Sequence, residues 1–417
     1  MENERKQSKF LSLLFLSLGV GIFYFLDGGA SLGGFTVMTK YMYAMGITVL
    51  GLLVFLVAPD MDMAKRLGTN SFVLALPYLI TTFLSLILWI TQNSPLSHIT
   101  RGFFFSLYQV LGVLTAMAYV LVLRKKAVIV QLFSMLAANA LLIFAVVKEE
   151  GLGVFVKDYF ALILSFGAES SQAMKAIEIN DLTFAIGVYL LYFLLKEAKV
   201  KGRVWLILLT GLFFSTGLKR IAAAALLVSF VVGVIAKIFP EKEGKRMLKI
   251  FGYIVIISGI AYIGFVRFGL YELLEIWEID TKGRNLLHDF IYDYYKISPF
   301  FMGHGLGYVS RLLLSGEADK YGVFYALHND YLRMYIEVGF WGYLAWLWFS
   351  WGHRISYFCK KRSFHMVCMT AMLFGYCFIT YLTDNTYYYF YTNLAVFTLV
   401  LSYEAEYQET EAANGNT

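Results

Sequence analysis

The chain has 417 residues, 59% of apolar type and only 15% charged, with a formal net charge of +6. Soluble chains carry roughly 45–50% apolar and 25% charged residues, so this composition excludes a soluble multidomain protein and points to one continuous membrane bundle. A modest positive balance in such a protein reflects basic loops, and no basic stripe with interleaved aromatics suggests a nucleic-acid partner.

Residues 1–9 are polar and basic and precede the apolar run 10–26. With Gly28-Gly29-Ala30-Ser31 behind it the run resembles a signal peptide, but its length and the spans that follow make it an uncleaved first span. Crossing hydrocarbon as a helix takes roughly 17–25 apolar residues, because the backbone must satisfy itself there. Further candidates are 41–58, 72–91, 103–123, 127–147, 182–195, 204–218, 221–238, 247–266, 334–351, 366–383 and 388–403, twelve spans in all. Cys359, Cys368 and Cys377 read as buried packing residues and not as a disulfide or metal site, since the last two fall on opposite faces of one helix.

Alternate segments hold Arg5, Lys6 and Lys9; Lys65 and Arg66; Arg124, Lys125 and Lys126; Lys196 and Arg203; Lys237, Lys245 and Lys249; and Arg354, Lys360 and Arg362. The intervening short loops hold only Lys40, Arg101, Lys219 and Arg220. The positive-inside rule makes the first set cytoplasmic, and with it both termini. Two long segments, 148–181 and 267–332, then lie outside. The first contains an apolar-aromatic stretch, 155–166, too short to span and suited to an interfacial helix. Residues 1–403 form a single transmembrane domain, and the acidic tail 404–417 reads as disordered. No internal repeat is visible and no sheet is expected.

The polar residues with chemical potential gather at the outer boundary, where ionisable groups mark paired or functional sites. Lys219 and Arg220 stand at a turn with almost no loop, as an anion pocket or as side chains reaching lipid headgroups. The second long segment opens with Gly283-Arg284-Asn285 and continues through Pro299, Gly303, Gly305 and Gly307. Such a glycine run is a turn or a close approach of backbone to a ligand. His328-Asn329-Asp330 follows at the mouth of the tenth span, and histidine can take and give a proton near neutrality. Arg333 and Glu337, four residues apart, can pair on one helix face.

As an ordered series, Gly283-Arg284, Pro299 with Gly303 and Gly305, His328-Asn329 and Glu337-Val338-Gly339 resembles the O-antigen ligase and O-antigen polymerase superfamily. Lys219-Arg220 behind Ser215, and Asn180-Asp181 before the sixth span, are looser matches. The resemblance is firmest over 283–340, about a quarter of the chain, and Asp330 departs from the Ser or Thr that ligases carry beside the histidine. It implies a GT-C-like all-α polytopic bundle of about twelve helices in the bacterial cytoplasmic membrane, with short helices in the two outer loops. It further implies an inverting, metal-independent glycosyltransferase without cofactor, acting on a polyprenyl-diphosphate-linked oligosaccharide among membrane lipids, with flippase and chain-length regulator proteins as partners. Arg220, Arg284 and Lys219 would hold the diphosphate. His328 would be the general base, and Asn329, Asp181, Arg333 and Glu337 would orient substrate. Polymerase is the favoured reading, ligase the alternative, and a transporter or lipid-linked oligosaccharide flippase the alternative of another class.

Overall fold

The computed structural model describes residues 2–25, 38–166, 173–174, 182–196, 202–277, 283–317 and 326–415. The described residues are 84% helical, with no strand among them. A helix stands wherever an apolar run marks one: α1 Glu2–Tyr24, α2 Thr39–Val57, α3 Met61–Thr91, α4 Leu96–Leu123, α5 Lys126–Glu150, α6 Leu152–Leu164, α7 Leu182–Leu195, α8 Arg203–Thr216, α9 Arg220–Ile238 and α10 Glu241–Phe268. Then come the short α11 Leu270–Ile276, α12 Arg284–Ile291 and α13 Tyr308–Leu313, followed by α14 Asp330–Leu347, α15 His353–Lys361, α16 Phe364–Thr380 and α17 Phe390–Gly415. Six of these, α2, α3, α4, α5, α9 and α10, are long and apolar enough to cross a membrane, and α1, α7, α8 and α16 carry shorter apolar stretches. The chain is an all-α membrane protein.

Short connections force successive helices to run antiparallel, and side-chain contacts fix two opposite ends. At the basic end Asp60 caps α3 by accepting the Met63 amide at 3.0 Å, while its other oxygen pairs with Arg124 at 2.6 Å. Arg362 and the Asn70 amide both donate to Glu404, and Lys196 pairs with Glu406. At the other end Tyr41 stacks on Tyr108 at 3.6 Å, the Asp330 amide donates to the Tyr381 carbonyl, and Gln109 donates to the Tyr388 carbonyl. Between the ends α7 lies at the centre, with all but one of its side chains buried. Its sequence, LTFAIGVYLLYFLL, is apolar on every face, as a core helix must be.

Two expectations change. The tail does not begin at 404 as unstructured chain: α17 continues to Gly415. Buried Glu404 and half-buried Glu406 are tied by ion pairs, and Gln408, Glu409, Glu411, Ala412 and Ala413 beyond them are good helix formers. The tenth span is not one straight helix. Gly339, at φ 70° and ψ −175°, breaks α14, and the chain folds back on itself. Tyr331 meets Trp346 with ring centroids 5.8 Å apart, and Tyr335 meets Tyr343 at 5.6 Å. In an unbroken helix the first pair would be separated by roughly 22 Å along the axis. The second arm continues through a wider π turn at Trp348–Gly352 into α15.

Candidate active site

The loop between η-turn Tyr292–Tyr294 and α13 fills the break in α14. The amides of His304 and Gly305 donate to the Glu337 carbonyl, at 3.1 and 2.6 Å, and the Phe340 amide donates to the Phe301 carbonyl at 2.8 Å. Gln92 donates to the Gly303 carbonyl at 2.8 Å, and the Leu306 amide donates to Ser85 at 3.0 Å. Gly303 is at φ 79°, and a side chain there would strike the Gly339 amide nitrogen. The glycine run therefore serves close packing between protein segments.

Arg333 and Glu337 pair as expected, at 3.4 Å, but both are buried. The Arg333 guanidinium lies 3.4 Å above the Tyr388 ring and donates to Ser310 at 2.7 Å. The Glu337 carboxylate accepts the Val309 amide at 3.2 Å and the Tyr388 hydroxyl at 2.8 Å. These contacts clamp α13 and the last turn to α14.

His328 stands at the foot of the first arm in a left-handed conformation, φ 51°, which non-glycine residues seldom adopt. Its amide donates to the Asn385 side chain at 3.1 Å. Asn329 next to it caps α14, accepting the Leu332 amide at 3.0 Å and donating to the Tyr262 hydroxyl at 2.9 Å. The His328 ring is 44% exposed, yet its Nδ1 is shielded from solvent and sits 3.6 Å from the Asp384 carboxylate, whose side chain is 9% exposed. Asp384 also accepts the Tyr389 hydroxyl at 2.5 Å and the Asn385 amide at 2.8 Å. Burial works against its charge, but the His328 ring, the Lys219 ammonium and the Tyr389 hydroxyl outweigh that and hold its carboxyl below the usual carboxylate range. An imidazole whose inner nitrogen faces a fixed carboxylate keeps its outer nitrogen free to accept a proton.

The expected cations stand at this end too. Lys219, at the cap of α9, acts electrostatically on Asp384. Arg220 is the first residue of α9 and is exposed; chain continuity with Lys219 places it here. Arg284 opens α12 behind Gly283 and acts on Tyr262 and Tyr271, which connects it to Asn329 through the Tyr262 hydroxyl. Asp181, with Asn180, lies outside the described residues.

Asp384, Asn385, Tyr389 and Tyr262 were not singled out from the sequence. The available signal was an Asp-Asn pair, Asp384-Asn385, in a four-residue turn between two apolar runs. The chain matches no protein-family model, and no curated protein matches it.

Proposed function

We propose that the chain is a polysaccharide polymerase of the O-antigen or capsule type, acting at the outer face of the bacterial cytoplasmic membrane, with its basic loops and both termini in the cytoplasm. The observation that carries this reading is the His328 ring, half-exposed, backed by the Asp384 carboxylate and accompanied by Lys219. A donor on polyprenyl diphosphate already has a good leaving group. The remaining work is to hold the diphosphate, neutralise its growing charge and deprotonate an acceptor hydroxyl.

In this reading the acceptor O–H gives its proton to the outer nitrogen of His328 as its oxygen attacks the anomeric carbon from the face opposite the diphosphate. The new C–O bond forms as the bond to the diphosphate breaks, and the bonding pair leaves with the polyprenyl diphosphate. The configuration inverts. Asp384 is a positioning residue that fixes the ring and stabilises the imidazolium. Arg220, Arg284 and Lys219 meet the phosphate oxygens, guanidinium forks suiting that geometry. With those cations in place, twelve crossings of a GT-C-like bundle and no metal requirement are expected, and transfer should continue in excess chelator.

The test is donor consumption by the full chain in detergent, where no compartments exist. The native protein should consume lipid-linked repeat units and His328→Ala should lose about 100- to 10,000-fold. Absence of turnover by the native protein, with movement of donor across vesicles instead, would make it a transporter or flippase. In cells lacking the gene, surface glycans of single repeat units support the polymerase, whereas long chains stranded on carrier lipid identify a ligase.

A further inference from the structure

The site end of the bundle is not level. Two rulers show that it extends well beyond His328. The first arm of α14 climbs from Asp330, beside Tyr381 and Tyr387, to the break at Gly339, roughly 13 Å at 1.5 Å per residue. The second arm then descends, and Trp346 is back against Tyr387, with centroids 5.3 Å apart. Along α3, Tyr78 stacks on Tyr387 at 5.1 Å, whereas Gln92 at its end reaches Gly303. Those two α3 positions lie about 20 Å apart.

This high rim is apolar on its outside. Phe300 is 89% exposed, Met302 62% and Trp341 61%, all three flanking the Gly303–Gly339 contact. Helix α3, which reaches this rim through Gln92, is itself a candidate span and carries an exposed apolar face with Phe83, Ile87 and Ile90. The backbone at the Gly339 break is sealed by protein: the Glu337 carbonyl accepts from the loop and the Phe340 amide donates to it. Backbone that leaves a helix at membrane depth is tolerated only where it is satisfied in this way.

We propose that the rim carrying Phe300, Met302 and Trp341 is immersed in the hydrocarbon of the outer leaflet, so that the His328–Asp384 turn lies below the membrane surface defined on that side. The partner is the bilayer itself. On the Lys219 side α8 has 14 residues and an exposed apolar face with Trp205, Leu208 and Leu212. A lipid-facing span of that length draws headgroups inward by local thinning. A lipid-borne diphosphate would then arrive at the depth of Lys219 and Arg220 without leaving the membrane, a consequence that rests on the transferase reading.

The depth itself can be measured without any activity. Spin labels at Phe300→Cys and Met302→Cys, in the full chain reconstituted in phosphatidylcholine–phosphatidylglycerol vesicles, should collide with oxygen several-fold more than with a water-soluble nickel chelate. Glu317→Cys, on the exposed far side of the same segment, should show the reverse. As an independent readout, acyl-chain-brominated lipid should quench the emission that Trp341→Phe removes. Labels at 300 and 302 that favour the nickel chelate, or Trp341 emission quenched by iodide and not by bromolipid, would overturn the proposal and leave the transferase assay unaffected.

Discussion

Helices α3, α4 and α10 run for 31, 28 and 28 residues, while α8 and α16 stop after 14 and 17. The long helices, with the folded-back α14, build a wall whose polar residues are turned inward and satisfied: Arg333, Glu337 and Tyr388 touch one another and the loop, not solvent. The short helices end where His328, Asp384 and Lys219 meet, and there a titratable ring is left half-exposed. The same residue types therefore mean different things on the two sides. A buried, fully partnered ion pair holds the wall together, whereas the half-exposed imidazole on a buried carboxylate is the group that the proposed reaction uses.

That contrast breaks most sharply at Gly339. Its φ and ψ are open almost only to glycine, and a methyl group there would collide with the Met302 carbonyl. Gly339→Ala should lower stability by about 2–6 kcal/mol, strain and overpacking together. Limited proteolysis of the 295–317 segment would register it first. A variant as stable as the parent would mean that the fold-back is not required.

Glu337→Gln addresses the same wall through charge. Removing one partner of a buried pair leaves the Arg333 guanidinium uncompensated, at a cost of about 3–5 kcal/mol. Replacing both, as Arg333→Met with Glu337→Met, should recover most of that loss, measured by thermal unfolding in detergent. If the double variant is as damaged as the single one, the pair does more than hold the wall together.

On the short side, Asp384→Asn keeps the shape and removes the charge behind His328. With no carboxylate to orient the ring and stabilise the imidazolium, transfer should fall about 10-fold or more. Because the folded protein holds this carboxyl below the ordinary 3.8, its contribution to stability is present above that value and disappears as pH falls through the folded-state value. The stability gap between native and variant should therefore close in acid. A gap that closes at mildly acidic pH would assign the effect to another group.

Much of this was legible in the sequence because it depends on local pattern. Apolar runs located the helices. Asn329 and Ser363 stand where caps belong. The arginine–glutamate spacing gave the 333–337 pair, and His328 and Lys219, both singled out from the sequence, act on the same carboxylate. What remained hidden depends on contacts between distant segments. Nothing local to Gly339 shows that the loop at 301–305 will replace its lost helical partners. Asp384 lies in a short turn of a kind common between spans, and only folding brings it beneath a ring 56 positions earlier. Glu404 looked like the start of a polar tail because its partners, Asn70 and Arg362, are remote in sequence.

The mildest effect belongs to His304, within the loop that seals the break. Its Nε2 donates to the Tyr294 carbonyl at 3.0 Å and its ring stacks on Tyr308 at 4.0 Å. Burial lowers its affinity for a proton, and the nearby His98 and Arg311 lower it further. The folded-state value therefore lies below the ordinary 6.5, so the neutral ring's contribution is complete above 6.5 and is lost as pH falls beneath it. Docking of the loop should loosen in that range. The amides of His304 and Gly305 report on it directly, because both donate to the Glu337 carbonyl across the break. Their hydrogen-exchange protection factors, corrected for intrinsic rates, should decline between about pH 7 and pH 5. In His304→Gln the side chain can still donate to Tyr294 but cannot titrate, so the decline should vanish. Protection that falls equally in both proteins would place the pH sensitivity elsewhere in the loop, and protection that does not fall in either would show that the glycines and the Glu337 carbonyl hold the tall wall closed without help from the ring.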